Sequence, residues 1–376
     1  MRTRMWAVLA AVLMVAGGCS ADASGAPVGT WQAAPVTPAA AGAASAAAAS
    51  GGDVTLAFAG DVHFSDRTAD LLDDPATAFG PVAETLRGAD VAMVNLETAV
   101  TDRGTPEPKQ FHFRAPATAL DAVKAAGVDV VTVANNHALD YGRVGLTDTL
   151  DNARKAGMPA IGAGRTADEA YAPWVTTVRG TRIAVVAVSQ VHELEGSWAA
   201  RDDRPGIAMA ANLDRSVAAV AAARKQADVV IVYAHWGQEG NDCPTSEMKT
   251  FAARMAKAGA DVVLGTHAHL LLGDGWLGNT YVAYGLGNFL WWRDDAFSND
   301  TGVLRLTLHD RRVARSELVP ASISRTTGQP LPVTGAEATR ITKEFTGLRS
   351  CTGLSGTASP SGTASPSGTA SPSGTG

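Results

Sequence analysis

Positive charge is scarce in this chain of 376 residues, and it is not concentrated anywhere along the domain. Charged residues make up 18% of the sequence and the formal net charge is −6. A protein that binds nucleic acid through its phosphates, or a membrane through a polybasic segment, carries blocks of Lys and Arg. No such block follows the N-terminal segment, so we expect neither nucleic acid nor a polybasic membrane surface among the partners.

The apolar stretch at the N terminus is too short to span a bilayer comfortably. It runs from Met5 to Gly17, follows Arg2 and Arg4, and is succeeded by small residues. This order of a basic segment, an apolar segment and small residues is the layout of a secretory signal. We therefore assign residues 1–18 to a signal peptide, which places the rest of the chain outside the cytoplasm.

The segment VAGGC, which ends at Cys19, resembles a bacterial lipobox, in which the cysteine is lipidated and becomes the new N terminus. One position departs from that motif, because Ala16 stands where it usually carries Leu. The resemblance implies a lipoprotein anchored to the cell membrane through Cys19. The alternative is an ordinary signal peptide in which this cysteine is incidental.

Large apolar side chains are almost absent from both ends of the remaining chain. Residues 19–51 are mainly Ala, Gly, Ser and Pro, and residues 353–376 repeat a short Ser/Thr/Pro/Gly unit. Such segments cannot bury enough apolar surface to fold, and we predict a flexible tether and a disordered tail. Residues 52–352 lie between them and form the predicted folded domain.

Cysteine is rare, with three residues in the whole chain. If Cys19 is lipidated, Cys243 and Cys351 are the two that remain in an oxidising compartment. Pairing them is the economical interpretation, and the bond would hold the end of the domain to its body. Two free thiols are the alternative.

The domain repeats one pattern, in which a helical segment precedes an apolar run rich in β-branched residues. Examples of the apolar runs are DVAMV, DVVIVYA and DVVLG, none of which alternates between apolar and polar residues. Uninterrupted runs of this kind are typical of strands buried on both faces. The segment TSEMKTFAARMAKAG has helical periodicity, with Thr245 or Ser246 as N-cap and Gly259 as stop. The pattern predicts an α/β architecture with helices covering a sheet.

Polar side chains follow these buried strands, at the point where each strand ends. In open α/β sheets, ligands bind at the carboxyl ends of the strands. Of the eight histidines in the chain, five lie at these strand ends. The candidate residues, in chain order, are Asp61, His63, Glu97, Asn136, His137, His235, His267, His269 and Asn288.

This set mixes carboxylate, amide and imidazole groups, which suits first-row divalent metals such as Mn, Fe or Zn. A single such residue at a strand end is more often structural, and only the joint pattern indicates a metal centre. Seven or eight of these residues are candidate ligands, about twice the number that one tetrahedral ion requires. Two divalent ions that share a bridging carboxylate would use these ligands, in an arrangement that activates water and neutralises phosphoryl charge.

Six ordered blocks of the chain resemble a known family: GDVH, NLET, ANNHALDYG, AHWG, GTHAH and YGLGNF. They are similar to the capsule-synthesis proteins, CapA-like proteins of poly-γ-glutamate synthesis, within the calcineurin-like metallophosphoesterase superfamily. The resemblance covers residues 53–320. It implies a four-layer α/β/β/α sandwich with two mixed sheets and helices outside.

The resemblance also implies a role for each ligand residue. Asp61 and His63 would bind one metal, Asn136 would bind the second, and His235 would be a further ligand. Glu97 would bridge the two metals, in a position where the superfamily usually has the shorter Asp. His267 and His269 would supply one ligand to each metal.

The same comparison implies that His137 is the general acid near the leaving group. Asp140, which follows closely, either orients this imidazole or caps the next helix.

A segment after the second ligand strand, KQFHFRAP, contains Lys109 and Arg114. A loop at that place would close over an anionic substrate, with Arg114 as a bidentate clamp. The alternative is an edge strand with a solvated polar face. We assign substrate binding to Lys109, Arg114 and Asn288, and the segment WWRDD at 291–295 either forms an aromatic rim or simply packs.

Three functions remain open at this stage. The first is metal-dependent hydrolysis of a cell-envelope phosphoester. The second is assistance in the synthesis, export or anchoring of an anionic polymer such as poly-γ-glutamate, together with capsule-synthesis membrane proteins. The third is a non-catalytic, metal-containing surface lipoprotein that binds or anchors an envelope polymer.

Overall fold

The computed structural model describes residues 52–193 and 195–359. The predicted signal peptide, Cys19 and the tether lie outside these residues, as does the end of the predicted tail. Across the described ranges, every helix is too short or too polar to cross a membrane.

Eighteen β-strands occur within the described residues, and those that end at the candidate ligands are buried along their length. In chain order the strands are β1 (Val54–Val62), β2 (Val91–Leu96), β3 (Ala99–Val100), β4 (Arg114–Ala115), β5 (Val130–Thr132), β6 (Ala160–Ile161), β7 (Ala163–Gly164), β8 (Trp174–Val178), β9 (Thr181–Ser189), β10 (Gly206–Ile207), β11 (Val229–Trp236), β12 (Val262–His267), β13 (Leu271–Leu277), β14 (Thr280–Leu286), β15 (Asn288–Leu290), β16 (Asp300–His309), β17 (Arg312–Ile323) and β18 (Pro330–Pro332).

Nine α-helices occur in the same part of the chain, and a run of 3-10 turns fills residues 66–82. The helices are α1 (Ala83–Arg87), α2 (Thr118–Ala125), α3 (Gly142–Ala156), α4 (Ala167–Tyr171), α5 (Glu195–Trp198), α6 (Leu213–Gln226), α7 (Ser246–Ala258), α8 (Gly335–Gly347) and α9 (Arg349–Thr352).

Helix α7 shows how local sequence sets the helix ends. The side chain of Thr245 accepts a hydrogen bond from the backbone N–H of Met248, which satisfies a free donor of the first turn. Gly259 ends the helix with φ of 112°, a conformation that glycine adopts without steric cost. Both ends agree with the sequence prediction.

The strands form two mixed sheets and two short pairs. The larger sheet has the order β18-β17-β16-β1-β2-β5-β6, with β15 pairing to the end of β1. The smaller sheet has the order β13-β14-β12-β11-β9-β8. In each, parallel strands lie at the centre and antiparallel strands at an edge, so the predicted pair of mixed sheets is confirmed.

Apolar side chains form three separate layers of core. Phe58 from the larger sheet and Ile231 from the smaller belong to the layer between the two sheets. Leu120 of α2 and Leu146 of α3 pack on the outer face of the larger sheet. Phe251 of α7 packs on the outer face of the smaller sheet. The protein therefore has the four-layer α/β/β/α arrangement that the sequence predicted.

The ordered chain continues past the predicted domain end at residue 352, and this boundary needs correction. Ser355 forms an antiparallel bridge with Trp276 of β13, and Leu354 is buried. Cys351 is joined by a disulfide to Cys243, which follows β11. Residues 353–359 are held by these contacts, because backbone pairing and apolar burial compensate for the polar composition that predicted a tail.

Candidate metal centre

The site lies where the carboxyl ends of parallel strands from both sheets meet. In the larger sheet, Asp61 pairs with Asn95 of β2 on one side and with Asn288 of β15 on the other. A Cβ on Gly60 would lie 1.8 Å from the carbonyl oxygen of Gly287, so glycine is needed where β1 and this segment approach. Asp61 is thereby fixed at the centre of the strand ends, facing β11 and β12 of the other sheet.

Five of the predicted ligands have donor atoms within 4.8 Å of one another in two overlapping groups. Asp61, Glu97 and His269 form one group, and Glu97, His235 and His267 form the other. Glu97 belongs to both, which is the position of a bridging carboxylate. His269 lies in the first of these groups and His267 in the second.

Asparagine side chains hold the Asp61 carboxylate in place. Asn95 Nδ2 donates to Asp61 Oδ1 at 2.7 Å, and Asn135 Nδ2 donates to Asn95 Oδ1 at 3.0 Å. The backbone N–H of His267 donates to Asp61 Oδ2 at 3.1 Å. Such outer partners fix the orientation of a ligand before a metal binds.

Asn136 contacts the second group through a hydrogen bond with His235. The Nε2 atom of His235 lies 2.8 Å from Asn136 Oδ1 and 3.2 Å from Glu97 Oε1. Its Nδ1 atom lies 3.0 Å from the hydroxyl oxygen of Thr266. Nε2 therefore faces the other ligands, and Nδ1 is engaged by the neighbouring strand.

His63 is buried at the edge of the centre and belongs to neither group. Its ring stacks on Phe113 with centroids 4.3 Å apart, and the Trp291 ring lies at 4.7 Å. Both ring nitrogens are buried and make no hydrogen bond to another described residue. Because an unpaired buried imidazole is costly, His63 is suited to ligation.

Other buried atoms of the centre also lack hydrogen bonds, among them Glu97 Oε2 and His267 Nδ1. Burial raises the pKa of Glu97, and the Asp61 carboxylate raises it further. Burial alone would lower the pKa of His269, but the carboxylates of Asp61 and Glu239 raise it to about 10. Crowded carboxylates and unpaired imidazoles are the donor set of a first-row divalent cation, so these residues fit the predicted metals.

His267 and His269 both have positive φ, 86° and 60°. Residues other than glycine adopt this conformation at a free-energy cost, and such strain is commonly found at functional sites. The backbone here turns after β12 so that both imidazoles point to the strand ends.

His137 lies beside the centre with its two ring nitrogens in different surroundings. Nδ1 is 2.6 Å from Asp140 Oδ2, and Nε2 is 4.0 Å from Glu97 Oε1. The helix that follows has Tyr141 at its N-cap, so Asp140 orients the imidazole and does not cap α3. The Phe113 ring stacks on the His137 ring, with centroids 4.2 Å apart. Burial lowers the pKa of His137 well below its ordinary value, and the nearby Lys109 cation lowers it further.

Lys109 is almost fully buried and reaches the His137 pair. Its Nζ atom lies 2.9 Å from Asp140 Oδ1 and 3.4 Å from Glu193 Oε2, and it donates to the carbonyl oxygen of Asn136. Burial raises the pKa of Asp140 to about 6, although Lys109 acts in the opposite direction. Lys109 therefore belongs to the network of polar contacts around His137.

Arg114 and Asn288 are the other two residues assigned to substrate binding. The Arg114 guanidinium lies 3.5 Å from the centroid of the Tyr141 ring and donates to the carbonyl oxygen of Arg103. Asn288 is fully buried, and its Oδ1 makes no hydrogen bond to another described residue. Their assignment to substrate binding stays a prediction.

An aromatic rim borders the centre, and two of its residues, Phe111 and Phe113, were not predicted from the sequence. Trp291 lies 4.4 Å from the His269 ring, and Trp292 lies 6.1 Å from Phe111 and 6.0 Å from Phe113. The WWRDD segment was recognised as a possible rim, whereas Phe111 and Phe113 were not. Their alternation with His112 and Arg114 in KQFHFRAP was the available signal, because it places both aromatic rings on the same side of an extended segment.

Comparison with known proteins identifies relatives over most of the described chain. Residues 55–291 match the family described as bacterial capsule synthesis protein PGA_cap. A PGA biosynthesis protein CapA from Bacillus subtilis (strain 168) is 27% identical over 298 residues, covering 78% of this chain and 78% of that protein.

A probable polyglutamine synthesis accessory protein from Mycobacterium tuberculosis (strain ATCC 25618 / H37Rv) is 31% identical over 280 residues, covering 68% of this chain and 72% of that protein. Among solved structures, a putative 5'-nucleotidase from Staphylococcus aureus aligns with a TM-score of 0.46 and 14% identity, covering 78% of this chain and 58% of that one.

Proposed function

Since the chain belongs to the bacterial capsule synthesis protein family PGA_cap, we propose that it is a metal-dependent hydrolase of a phosphoester in the cell envelope. One observation carries this proposal. An imidazole held by a carboxylate, His137 with Asp140, is aimed at a buried cluster of ligand residues. A purely structural metal site does not need such an additional proton-transfer group.

Two groups of residues would hold the metals. Asp61, Glu97 and His269 would hold one ion, and Glu97, His235 and His267 the other, with His63 and Asn136 beside them. Bound divalent ions in such a centre activate water and neutralise charge on a phosphoryl group. Mn, Fe and Zn all suit this donor set.

The protein side chains provide for proton transfer to the leaving oxygen. Asp140 accepts the N–H of His137 Nδ1 and stabilises the protonated ring, which carries its second proton on Nε2. His137 would release this proton to the leaving oxygen and become neutral, with its lone pair then at Nε2. Lys109 fixes Asp140, and Phe113 restricts the ring from one face. Trp291 covers the neighbouring His269 ring, with centroids 4.4 Å apart, and would limit access of water there.

Substitution His137→Ala tests this proposal with bis(p-nitrophenyl) phosphate and Mn²⁺ as assay. We expect a loss of hydrolysis of about 100-fold or more while the metal content stays unchanged. His309→Ala is a matched control, because His309 is exposed and pairs with Asp53 away from the centre. A wild-type protein that holds metal and cleaves no phosphoester would contradict hydrolysis and support the non-catalytic, polymer-binding alternative.

A role in the synthesis, export or anchoring of an anionic polymer is the second candidate. The family match and the names of the CapA and polyglutamine synthesis relatives support it. Under this proposal the metals would bind the carboxylates of the polymer or support amide-bond chemistry, with capsule-synthesis membrane proteins as partners. Metal-dependent retention of poly-γ-glutamate by the protein, with no hydrolysis of phosphoesters, would favour it.

We also propose that the protein acts outside the cytoplasm, anchored through a lipid on Cys19. The signal-like sequence before Cys19 supports this, as does a disulfide, which is typical of oxidising compartments. We expect the wild-type protein to partition into detergent with the membrane fraction and Cys19→Ala to remain in the aqueous phase. Equal partition of both proteins would contradict lipidation.

A further inference from the structure

A carboxylate outside the predicted ligand set lies close to two of the proposed metal-binding histidines. Donor atoms of Glu239, His267 and His269 lie within 4.8 Å of one another. Glu239 comes directly after the strand end that carries His235, in the segment HWGQEG. The family resemblance assigned it no role.

The separation between Glu239 and His269 suits joint ligation of one ion. Glu239 Oε1 lies 3.8 Å from His269 Nε2, which is too long for a hydrogen bond. Two donor atoms that are each about 2.1 Å from one ion can be at most about 4.2 Å apart. The observed distance therefore falls within the span of two ligands and outside that of a direct donor–acceptor pair.

His267 supplies the second observation that points to a ligand. The residue is 6% exposed, and its Nδ1 atom makes no hydrogen bond to another described residue. A buried nitrogen of this kind is costly unless a ligand engages it. It belongs to the same three-residue group as Glu239.

The Glu239 loop is held in place, although the side chain itself is 61% exposed. The backbone N–H of Gly240 donates to the carbonyl oxygen of Ala268, the residue between the two histidines, at 3.0 Å. Gly240 has φ of 71°, which other residues adopt at a cost. The Cys243–Cys351 disulfide secures the same loop three residues further on. Glu239 is thus positioned beside the imidazoles by the backbone.

We propose that Glu239 is a further ligand of the metal centre, joining His269 on one divalent cation at the solvent side, with His267 of the other ligand group beside it. This inference rests on the proposed function in requiring a metal centre, and it does not require hydrolysis. A third carboxylate would add negative charge at the entrance and hold an ion more tightly than the predicted residues alone.

Titration of the metal-free full chain with Mn²⁺ tests this proposal. We compare the wild type with Glu239→Gln, which removes the charge at nearly constant size, and with Glu247→Gln. Glu247 is an exposed carboxylate of α7 that pairs with His192, outside the three candidate ligand groups, so it is a matched control. We expect affinity for one ion to fall about tenfold or more in Glu239→Gln and to stay at the wild-type value in Glu247→Gln.

The visible absorption spectrum of the Co²⁺-loaded proteins distinguishes a ligand from a carboxylate that only orients His269. Loss of a ligand changes the coordination geometry and hence the spectrum, so we expect a different spectrum for Glu239→Gln alone. Glu239→Asp keeps the carboxylate and should bind Mn²⁺ with intermediate affinity, which separates loss of a ligand from loss of folding.

Wild-type affinity and an unchanged Co²⁺ spectrum in Glu239→Gln would overturn the proposal. Failure of the proposed function looks different: the wild type binds Mn²⁺, Glu239→Gln binds it more weakly, and neither protein hydrolyses a phosphoester. A wild type that binds no Mn²⁺ would overturn both.

Discussion

At the scale of single residues, Asp140 links the proposed general acid to the rest of the site. It accepts from His137 Nδ1 through Oδ2, receives the backbone N–H of Phe113 on the same atom, and faces Lys109 through Oδ1. The carboxylate therefore sets the tautomer of His137, the position of the stacking aromatic ring and the place of a buried cation. Asp140 is therefore a positioning residue, which would act on the reaction through His137.

Substitution Asp140→Asn tests this positioning role. We expect turnover to fall about 10- to 100-fold with metal content unchanged, since the loss is one of orientation and charge at His137. The pH dependence of the rate should change as well, which a purely structural defect would not produce. Asp151→Asn is the control, because Asp151 pairs with Arg154 and Arg165 on the surface. Wild-type turnover and pH dependence in Asp140→Asn would contradict the role.

The candidate ligand residues could be recognised in the sequence because each lies at or just after the end of a buried strand. One such residue is not diagnostic, but several successive strand ends with carboxylate, amide or imidazole groups form a pattern that local order in the chain makes visible. Phe113 and Glu239 could not be recognised in the same way. Their contacts depend on how loops from different sheets fold back over the strand ends, and residue type alone does not indicate this.

At the scale of elements, uninterrupted apolar runs predicted the central strands and missed several outer ones. Strands β2, β11 and β12 are buried on both faces and read as continuous runs of β-branched residues. The hairpin of β16 and β17 was not predicted. Most of β17 is exposed or half-buried, and its polar and charged residues give no apolar run.

Asp228 joins the starts of two neighbouring strands, β9 and β11, and gives a prediction on acid stability. Its carboxylate accepts hydrogen bonds from the Arg182 side chain and backbone. The Arg182 side-chain bond is the main cause that lowers the pKa of Asp228 from 3.8 to about 2. A lowered carboxyl pKa stabilises the fold above the unfolded-state pKa, and this contribution is lost as pH falls towards 2.

Thermal unfolding of Asp228→Asn and wild type between about pH 6 and pH 2 measures this contribution. We expect the wild type to have the higher melting temperature at pH 6 and the difference to shrink between pH 4 and pH 2. Glu317→Gln is the control, because Glu317 is largely exposed and pairs with Arg315 within one strand. A difference that stays constant with pH would contradict the interpretation.

At the scale of the whole molecule, the sandwich explains why two sheets serve one site. Parallel strands end at the same edge of each sheet, and the apolar layer between the sheets brings β1, β2 and β5 to face β11 and β12. Asp61 and Glu97 come from one sheet, and His235, His267 and His269 from the other. Each of the two groups that contain Glu97 therefore draws its residues from both sheets.

Composition predicted the C-terminal boundary of the domain less well than its centre. A Ser/Thr/Pro/Gly sequence has little apolar surface, so the sequence analysis ended the domain at residue 352. The structure adds residues 353–359 to the domain. Ser355 pairs with Trp276, and just before this segment Cys351 forms a disulfide with Cys243, which is 108 residues away in sequence. Long-range constraints of this kind leave no mark on local composition.

The measurement that tests the metal centre most directly is the number of divalent ions bound by the full chain after loading with Mn²⁺ and removal of free metal. We expect about two ions per chain, because the ligand groups share one bridging carboxylate, Glu97. In Glu97→Ala both ions should be lost or weakened together. A wild-type protein that retains no metal after loading with Mn²⁺, Fe²⁺ or Zn²⁺ would contradict the proposed centre and the hydrolysis that depends on it.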